Sequence, residues 1–296
     1  MKKMISVKTS FVPDGKTKYC FLFGDSIENS LSPAMHTEWF LREKLNCVYL
    51  SMPVKSEDVF LSLVKDLIDT DSFIGGNITL PFKNTILKSN LFELSKRVET
   101  IHAANTIYRN DKGKWCLDNT DIFGVQDSIQ HLVKTGEKYI ALVLGGGGAA
   151  ASAIYNCIED KNCLKIVCST RSPEKTKEHF PFLSNERKVA VNSLEFEKLF
   201  KCLSFDCDDK IKVLIINTIP IGQNSLDVNP FAISAMEHTL KITQNKNIFY
   251  FDLIYIDSKA ILYAKDNKIK AINGKRMLIS QAKKSFALWT GIEVKS

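Results

Sequence analysis

Apolar positions along this chain follow two periods. Short continuous apolar runs alternate with stretches whose apolar residues recur every three or four positions, the patterns of buried strands and amphipathic helices. Tyr19 to Phe23 is a run ended by Gly24 and reads as a strand. Ser32-Pro33 reads as a helix start, with the serine as cap and the proline at the first helical position, and this helix extends past Trp39 and Phe40 to about Leu45. Val48 to Ser51 predicts a strand. Glu57 to Ile68 carries apolar residues at 60, 61, 63, 64, 67 and 68 and predicts a helix. Phe73 to Leu80 predicts a strand stopped by Pro81. Asn105 to Arg109 and Lys114 to Leu117, joined by Asn110-Asp111-Lys112-Gly113, predict a hairpin, and Asp121 to Leu132 a helix.

The second half alternates more regularly. Ile140 to Leu144, Leu164 to Cys168, Val189 to Val191, Val213 to Asn217 and Ile248 to Asp252 predict strands separated by helical or turn-rich stretches, and Lys275 to Trp289 a final helix. This order implies parallel strands joined by crossover helices. The expected fold class is α/β, in two domains with a boundary near Asp121.

Composition adds exclusions. The 296 residues are 45% apolar and 25% charged, an ordinary globular balance that argues against disorder, collagen and coiled coil. No run reaches the ~20 apolar residues of a membrane span, and MKKMISVKTSFVPDGK lacks the apolar core of a secretory signal, so a cytoplasmic protein is expected. Of the eight cysteines, Cys157, Cys163 and Cys168 sit in or near apolar segments, and Cys202 and Cys207 are five apart. No CxxC occurs, so free thiols are expected and no metal. The net charge of +7 is spread thinly, with only six arginines (Arg42, Arg97, Arg109, Arg171, Arg187 and Arg276) and no basic cluster interleaved with aromatics. A mild field attracting small anions fits better than a nucleic-acid surface.

The sharpest local signal is ALVLGGGGAAASA at 141–153. A strand runs into Gly145, Gly147 and Ala150, a GxGxxA pattern, and small residues continue behind it. Glycines allow a tight turn whose N–H groups approach a pyrophosphate, and the following helix start adds partial positive charge. Dinucleotide binding is the expectation. At the tip of the next strand an NAD site places a carboxylate for the 2′-hydroxyl. Here the sequence reads Ser169-Thr170-Arg171-Ser172-Pro173-Glu174-Lys175. A guanidinium, a hydroxyl and an ammonium suit a 2′-phosphate, so NADP is preferred, although Arg171 as a solvated charge and Ser172-Pro173 as a helix cap is the plainer alternative.

Three polar clusters mark the first half: Ser30-Leu31-Ser32-Pro33, then Asn77-Ile78-Thr79-Leu80-Pro81-Phe82-Lys83, then Asn105-Thr106 followed by Asn119-Thr120-Asp121. Asn77 and Thr79, two apart on a strand, share a face. Taken singly, Ser32 reads as a cap, Lys83 as a surface charge and Asp121 as a favourable charge at a helix start.

Together these strings resemble the NADP-dependent shikimate dehydrogenase family. The resemblance runs from Tyr19 to about Gly291 through FGDSIENSLSPAMH, NITLPFK, AANT, DNTDIFG, GGGGAA, INTIPIG, FDLIY and NGKRMLISQA. It implies a substrate-binding catalytic domain over 1–120 with a mostly parallel sheet, and a Rossmann-like NADP-binding domain over 121–274. Residues 275–296 would form a helix packing back on the first domain. It implies that Ser30 and Ser32 bind the substrate carboxylate, and that Asn77, Thr79, Asn105, Tyr255 and Gln281 belong to the substrate site. Lys83 and Asp121 match the catalytic pair. Gly145, Gly146, Gly147, Gly148 and Ala149 would hold the pyrophosphate, and Thr170, Arg171, Ser172 and Lys175 the adenosine phosphate. Leu253, Gly274 and Met277 would flank the nicotinamide. Met277 and Gln281, four apart, share a helix face.

The resemblance has departures. Thr170-Arg171-Ser172 stands where the family usually has Asn-Arg-Thr, and Ile256-Asp257-Ser258-Lys259 follows Tyr255 where the family often has a proline and then a threonine. The implied activity is reversible reduction of the C3 ketone of 3-dehydroshikimate by NADPH, with Lys83 as proton donor beside the developing alkoxide. Quinate or dual-specificity activity and a non-catalytic NADP-binding regulator stay open as alternatives. The expected partner is a small molecule, with no nucleic acid and no membrane, and the chain is expected as a monomer or homodimer. Residues 1–18 carry no functional reading.

Overall fold

The computed structural model describes residues 12–185, 189–193, 211–221, 228–243 and 247–295. Residues 1–11, Arg187, Cys202, Cys207 and Gly222 of the INTIPIG string lie outside the described residues. The chain divides into two units. One holds the described residues up to Glu99, Ala103–Thr120 and those from Ala282 onward; the other holds Thr100–His102 and Asp121–Gln281.

In the first unit, β1 (Lys18–Gly24) leads through α1 (Ser32–Arg42) to β2 (Cys47–Pro53), and α2 (Glu57–Ile68) leads to β3 (Phe73–Ile78). A short β4 (Glu93–Leu94) and α3 (Lys96–Ile101) precede the hairpin β5 (Thr106–Arg109) and β6 (Trp115–Asp118). The strands lie in the order β2-β1-β3-β5-β6-β4. β1 pairs in parallel with both β2 and β3, whereas β5 is antiparallel to β3 and β6. The apolar run of β1 is buried on both faces because side chains alternate along a strand. Cys20 and Leu22 join Trp39, Phe40, Tyr49 and Phe286, and Phe21 and Phe23 join Phe60, Val64, Phe73 and Phe82. α2 has the predicted bounds. Ser56 caps it by accepting from Val59 N, and Glu57 and Asp58 complement its first turn.

α1 differs from expectation at both ends. Ser32 is its first helical residue rather than its cap; Leu31 holds the cap position, with no side-chain capping bond. The helix stops at Arg42 because Lys44 turns left-handed at φ 55° and Leu45 N returns to Phe40 O at 2.8 Å. β3 ends at Ile78, after which Thr79 O accepts from Phe82 N and closes a turn before Lys83. The hairpin turn is held by Asn110, whose Oδ1 accepts from Lys112 N and Lys114 N.

The second unit begins with α4 (Asp121–Leu132), then β7 (Tyr139–Leu144), α5 (Gly148–Glu159), β8 (Cys163–Thr170), α6 (Pro173–His179), α7 (Phe182–Asn185) and β9 (Val189–Ser193). β10 (Lys212–Asn217), α8 (Pro230–Ile242), β11 (Ile248–Asp252), α9 (Lys259–Asp266) and β12 (Lys270–Ile272) follow. α10 (Lys275–Thr290) is divided between the units at Gln281/Ala282. The sheet order is β12-β11-β10-β7-β8-β9, with every pairing parallel. This is the doubly wound Rossmann arrangement, with strand order reversing between β7 and β10. Ile140, Leu142, Leu144, Ile215 and Tyr250 line one face under Ala232 and Met236 of α8 and Ile261 of α9.

Cys20, Cys47, Cys116, Cys157, Cys163 and Cys168 are buried free thiols. No helix among the described residues is long and apolar enough to cross a membrane.

Candidate active site

The polar residues of the first unit converge behind the end of β3. Asn77, at the carboxyl end of that strand, is buried. Its Oδ1 accepts from Tyr49 Oη at 2.9 Å, and its Nδ2 reaches Asn105 O (3.1 Å), Thr106 Oγ1 (3.1 Å) and Ser285 Oγ (3.0 Å). Asn105 Oδ1 accepts from Thr120 N at 2.7 Å, Thr106 Oγ1 at 2.8 Å and Thr120 Oγ1 at 3.1 Å. Ser285 Oγ lies 2.9 Å from Thr120 Oγ1 and 3.1 Å from Thr106 Oγ1. A satisfied network of this kind fixes rotamers, since each buried polar atom loses its partner if a neighbour turns. Three donors on one oxygen hold the Asn105 amide in a single orientation.

The network has a charged anchor. Arg97 grips Asp118 through both oxygens, Nη2 to Oδ2 at 2.7 Å and Nε to Oδ1 at 3.2 Å. Asp118 Oδ1 also accepts from Asn119 N, and Asn119 Nδ2 donates to Ala103 O at 2.8 Å. The segment 118–120 is thereby fastened beside 103–106. Lys83 is half-buried just after the β3 turn, and its carbonyl accepts from Ala104 N at 2.8 Å, tying the lysine segment to the residue before Asn105. Ser30 Oγ accepts from Ser32 N at 3.2 Å, so the two serine hydroxyl carriers are joined ahead of α1. Asp121, the buried first residue of α4, belongs to the second unit, whereas Lys83 belongs to the first.

In the second unit the glycine turn follows β7. Gly145 has φ +119°, and a Cβ there would sit 2.2 Å from Thr218 Oγ1. A Cβ on Gly146 would sit 2.3 Å from Thr176 Oγ1 and 2.4 Å from Thr170 Oγ1. Gly147 is exposed, a Cβ there would meet nothing within 4 Å among the described residues, and as the cap of the 12-residue α5 it offers no capping side chain. An open face over uncapped N–H groups is the form of an anion site at a helix start. At the tip of β8, Thr170 is buried with its hydroxyl 3.1 Å from Thr176 Oγ1, while Arg171, Ser172 and Lys175 are exposed. Ser172 holds the cap position of α6 without a side-chain capping bond. At the other side of the sheet, Gly274 N donates to Ile254 O at 2.8 Å, and a Cβ on Gly274 would lie 2.1 Å from Leu253 O. Met277 and Gln281 both lean on Gly124 of α4. Tyr255 is half-buried, and burial raises its phenol pKa above the ordinary value.

These features match known proteins along nearly the whole chain. Residues 22–107 match the shikimate dehydrogenase substrate binding domain family. The shikimate dehydrogenase (NADP(+)) of Methanocaldococcus jannaschii is 31% identical over 283 residues, covering 95% of this chain and 94% of that protein. The chain belongs to the shikimate dehydrogenase family. Solved structures agree: a shikimate dehydrogenase in complex with NADP+ superposes with TM-score 0.76 at 30% identity, over 95% of this chain and 93% of that one. The shikimate dehydrogenase of Aquifex aeolicus gives TM-score 0.75 at 26% identity, over 95% and 96%.

Seen as a member of the shikimate dehydrogenase family, the chain shows four residues that sequence reading did not single out. Tyr49 and Ser285 complete the Asn77 network, and Thr176 and Thr218 pack against Gly146 and Gly145. Each reaches its partner from a distant stretch of chain, so no local spacing marks it. Asn77, read as a substrate residue, places both polar atoms of its amide on protein partners.

Proposed function

We propose that this protein catalyses the reversible NADPH-dependent reduction of 3-dehydroshikimate to shikimate, a step of the chorismate route to aromatic amino acids. The observation that carries this reading is end-to-end similarity to a shikimate dehydrogenase (NADP(+)) in a chain whose second unit holds an open glycine turn within a doubly wound sheet. The residues present suit the dinucleotide. Gly145 to Ala149 and the N–H groups opening α5 would take the pyrophosphate. Arg171, Ser172 and Lys175, with Thr170 behind them and no carboxylate at the strand tip, would take the 2′-phosphate. Leu253, Gly274 and Met277 would border the nicotinamide, which supplies the hydride when bound.

The chain's own residues do the rest. Ser30 and Ser32 take the substrate carboxylate near the start of α1. Thr79, Asn105, Tyr255 and Gln281 hold ring substituents, and Asn77 orients Asn105 from behind. As hydride reaches C3, the carbonyl oxygen gains negative charge. The Lys83 ammonium stabilises that charge and gives the oxygen its proton, then regains one from water. Asp121 accepts a hydrogen bond from a substrate hydroxyl. In the oxidative direction each transfer reverses. The protein acts on this small molecule as a monomer or homodimer, in the cytoplasm.

A spectrophotometric comparison tests the reading: NADP+ and NAD+ reduction, each with shikimate and with quinate. Fastest turnover with shikimate and NADP+ is expected. Failure of shikimate to reduce either cofactor overturns it, and faster turnover with quinate moves the assignment to a quinate dehydrogenase. The pocket difference is one hydroxyl at C1, beside the carboxylate that Ser30 and Ser32 receive.

A further inference from the structure

The carboxyl ends of β10 and β11 carry a buried acid that the mechanism above does not use. Asp252, the last residue of β11, is 1% exposed. Its Oδ1 accepts from Asn217 Nδ2 at 3.0 Å and Ile254 N at 3.1 Å. Its Oδ2 accepts from Tyr250 Oη at 3.0 Å and Ser258 Oγ at 2.8 Å. Four donors converge on one carboxyl, and burial still raises its pKa above the ordinary value.

Two partners of Asp252 bound loops: Asn217 ends β10, and Ser258 precedes α9. Ser258 Oγ also accepts from Ile261 N and so caps α9. Asn217 Oδ1 accepts from Ile219 N at 3.2 Å and from Asn229 Nδ2 at 3.1 Å, and Asn229 caps α8. Thr218, next to Asn217, occupies the space beside Gly145. Leu253, next to Asp252, lies against Gly274, and Leu253 N donates to Asn217 O at 3.0 Å. One side chain therefore ties the turn after β10, whose Thr218 packs beside Gly145, to the turn after β11, whose Leu253 is assigned above to the nicotinamide end of the cofactor.

We infer that Asp252 is a positioning residue for the nicotinamide half of the cofactor site, acting through Asn217, Ser258 and the Ile254 amide rather than by touching the cofactor. The inference rests on the NADP reading of the second unit. At the departure after Tyr255, where Ile256-Asp257-Ser258-Lys259 stand in place of the proline and threonine the family often has, the Ser258 hydroxyl fastens the loop to Asp252. The adenosine end, formed by Thr170 to Lys175 after β8, is not among these contacts.

The test compares two probes on the full-length protein, NADP+ and 2′,5′-ADP, the latter lacking the nicotinamide. Asp252→Ala is expected to weaken NADP+ binding about tenfold while 2′,5′-ADP binding stays within about twofold, since it leaves several buried donors unpaired near one end only. Asp252→Asn is expected to restore NADP+ binding. Its oxygen can take Asn217 Nδ2 and Ile254 N, and its amide can donate to the Tyr250 and Ser258 hydroxyls. If Asp252→Ala does not fold, Tyr250→Phe removes one donor and is expected to show the same split on a smaller scale. Equal weakening of both probes, no change in either, or an asparagine variant as impaired as the alanine overturns the inference. Wild-type protein that binds neither probe overturns the NADP reading itself, and wild-type binding with no split in the variants overturns only the role of Asp252.

Discussion

His36 lies face to face with Tyr49, ring centroids 4.6 Å apart and planes 17° from parallel. Trp39, Phe286 and Trp289 close the rest of the cage, and neither imidazole nitrogen has a hydrogen-bond partner among the described residues. Burial lowers the pKa of His36 from 6.5 to about 3. The unfolded chain takes up this proton near pH 6.5, whereas the folded chain resists it until about pH 3. Stability present above pH 6.5 is therefore lost as pH falls through that window. His36→Phe keeps the aromatic stack and removes the titration. Thermal midpoints measured from neutral to acid pH are expected to fall less steeply in the variant, and parallel curves would contradict this account.

Lys83→Ala is expected to lower kcat by roughly 10²–10⁴-fold with a modest change in KM, the size of a lost general acid. Asp121→Asn is expected to act in the same direction with a smaller loss. Steady-state kinetics with shikimate and NADP+ check both, and wild-type-like kcat in Lys83→Ala removes the lysine from the chemistry.

Neighbouring glycines should respond differently. A Cβ on Gly146 meets two threonine hydroxyls, so Gly146→Ala is expected to lower thermal stability and cofactor affinity together. A Cβ on Gly147 meets nothing within 4 Å among the described residues. Gly147→Ala is therefore expected to cost about 1 kcal/mol or less in stability, the range for a changed helix cap. NADP+ binding, in contrast, should weaken severely, because the methyl group occupies the face assigned to the pyrophosphate. Paired thermal melts and binding titrations separate the two effects.

Arg171→Ala removes an exposed guanidinium at the β8 tip. Loss of charge-assisted bonds to a 2′-phosphate is expected to raise KM for NADP+ roughly tenfold or more. KM for NAD+ should scarcely move, since NAD+ has no phosphate there. Equal effects on both cofactors would place the arginine elsewhere.

How much of this was legible depended on how local each signal was. The doubly wound sheet followed from apolar runs, because strands buried on both faces carry the information in adjacent residues. α2 and α4 were readable to the residue, each with an acidic first turn and an apolar stripe. The glycine turn was readable because strand, turn and helix start are contiguous. The short β4, α3 and β12 left no period long enough to detect. Ser32 was misassigned as a cap because Ser-Pro is a common helix opening; Leu31 takes that position, and the neighbouring Ser30 hydroxyl accepts from Ser32 N instead. Ser285 and Thr176 were invisible for another reason. Their partners are set by packing, and nothing near them in the chain distinguishes a buried hydroxyl hub from an ordinary helical serine or threonine.

Residues from Ala282 onward belong to the same unit as β1, and they carry Ser285 of the Asn77 network, Phe286 of the core and Trp289, whose Nε1 donates to Ile107 O at 2.9 Å. During synthesis on a ribosome this unit starts first and finishes last. Its sheet waits, with the Tyr49 and Trp39 side of its core lacking a wall, while all of the intervening doubly wound unit is made. A released chain ending at Gln281 should therefore protect the later unit from protease and leave the earlier one open to attack.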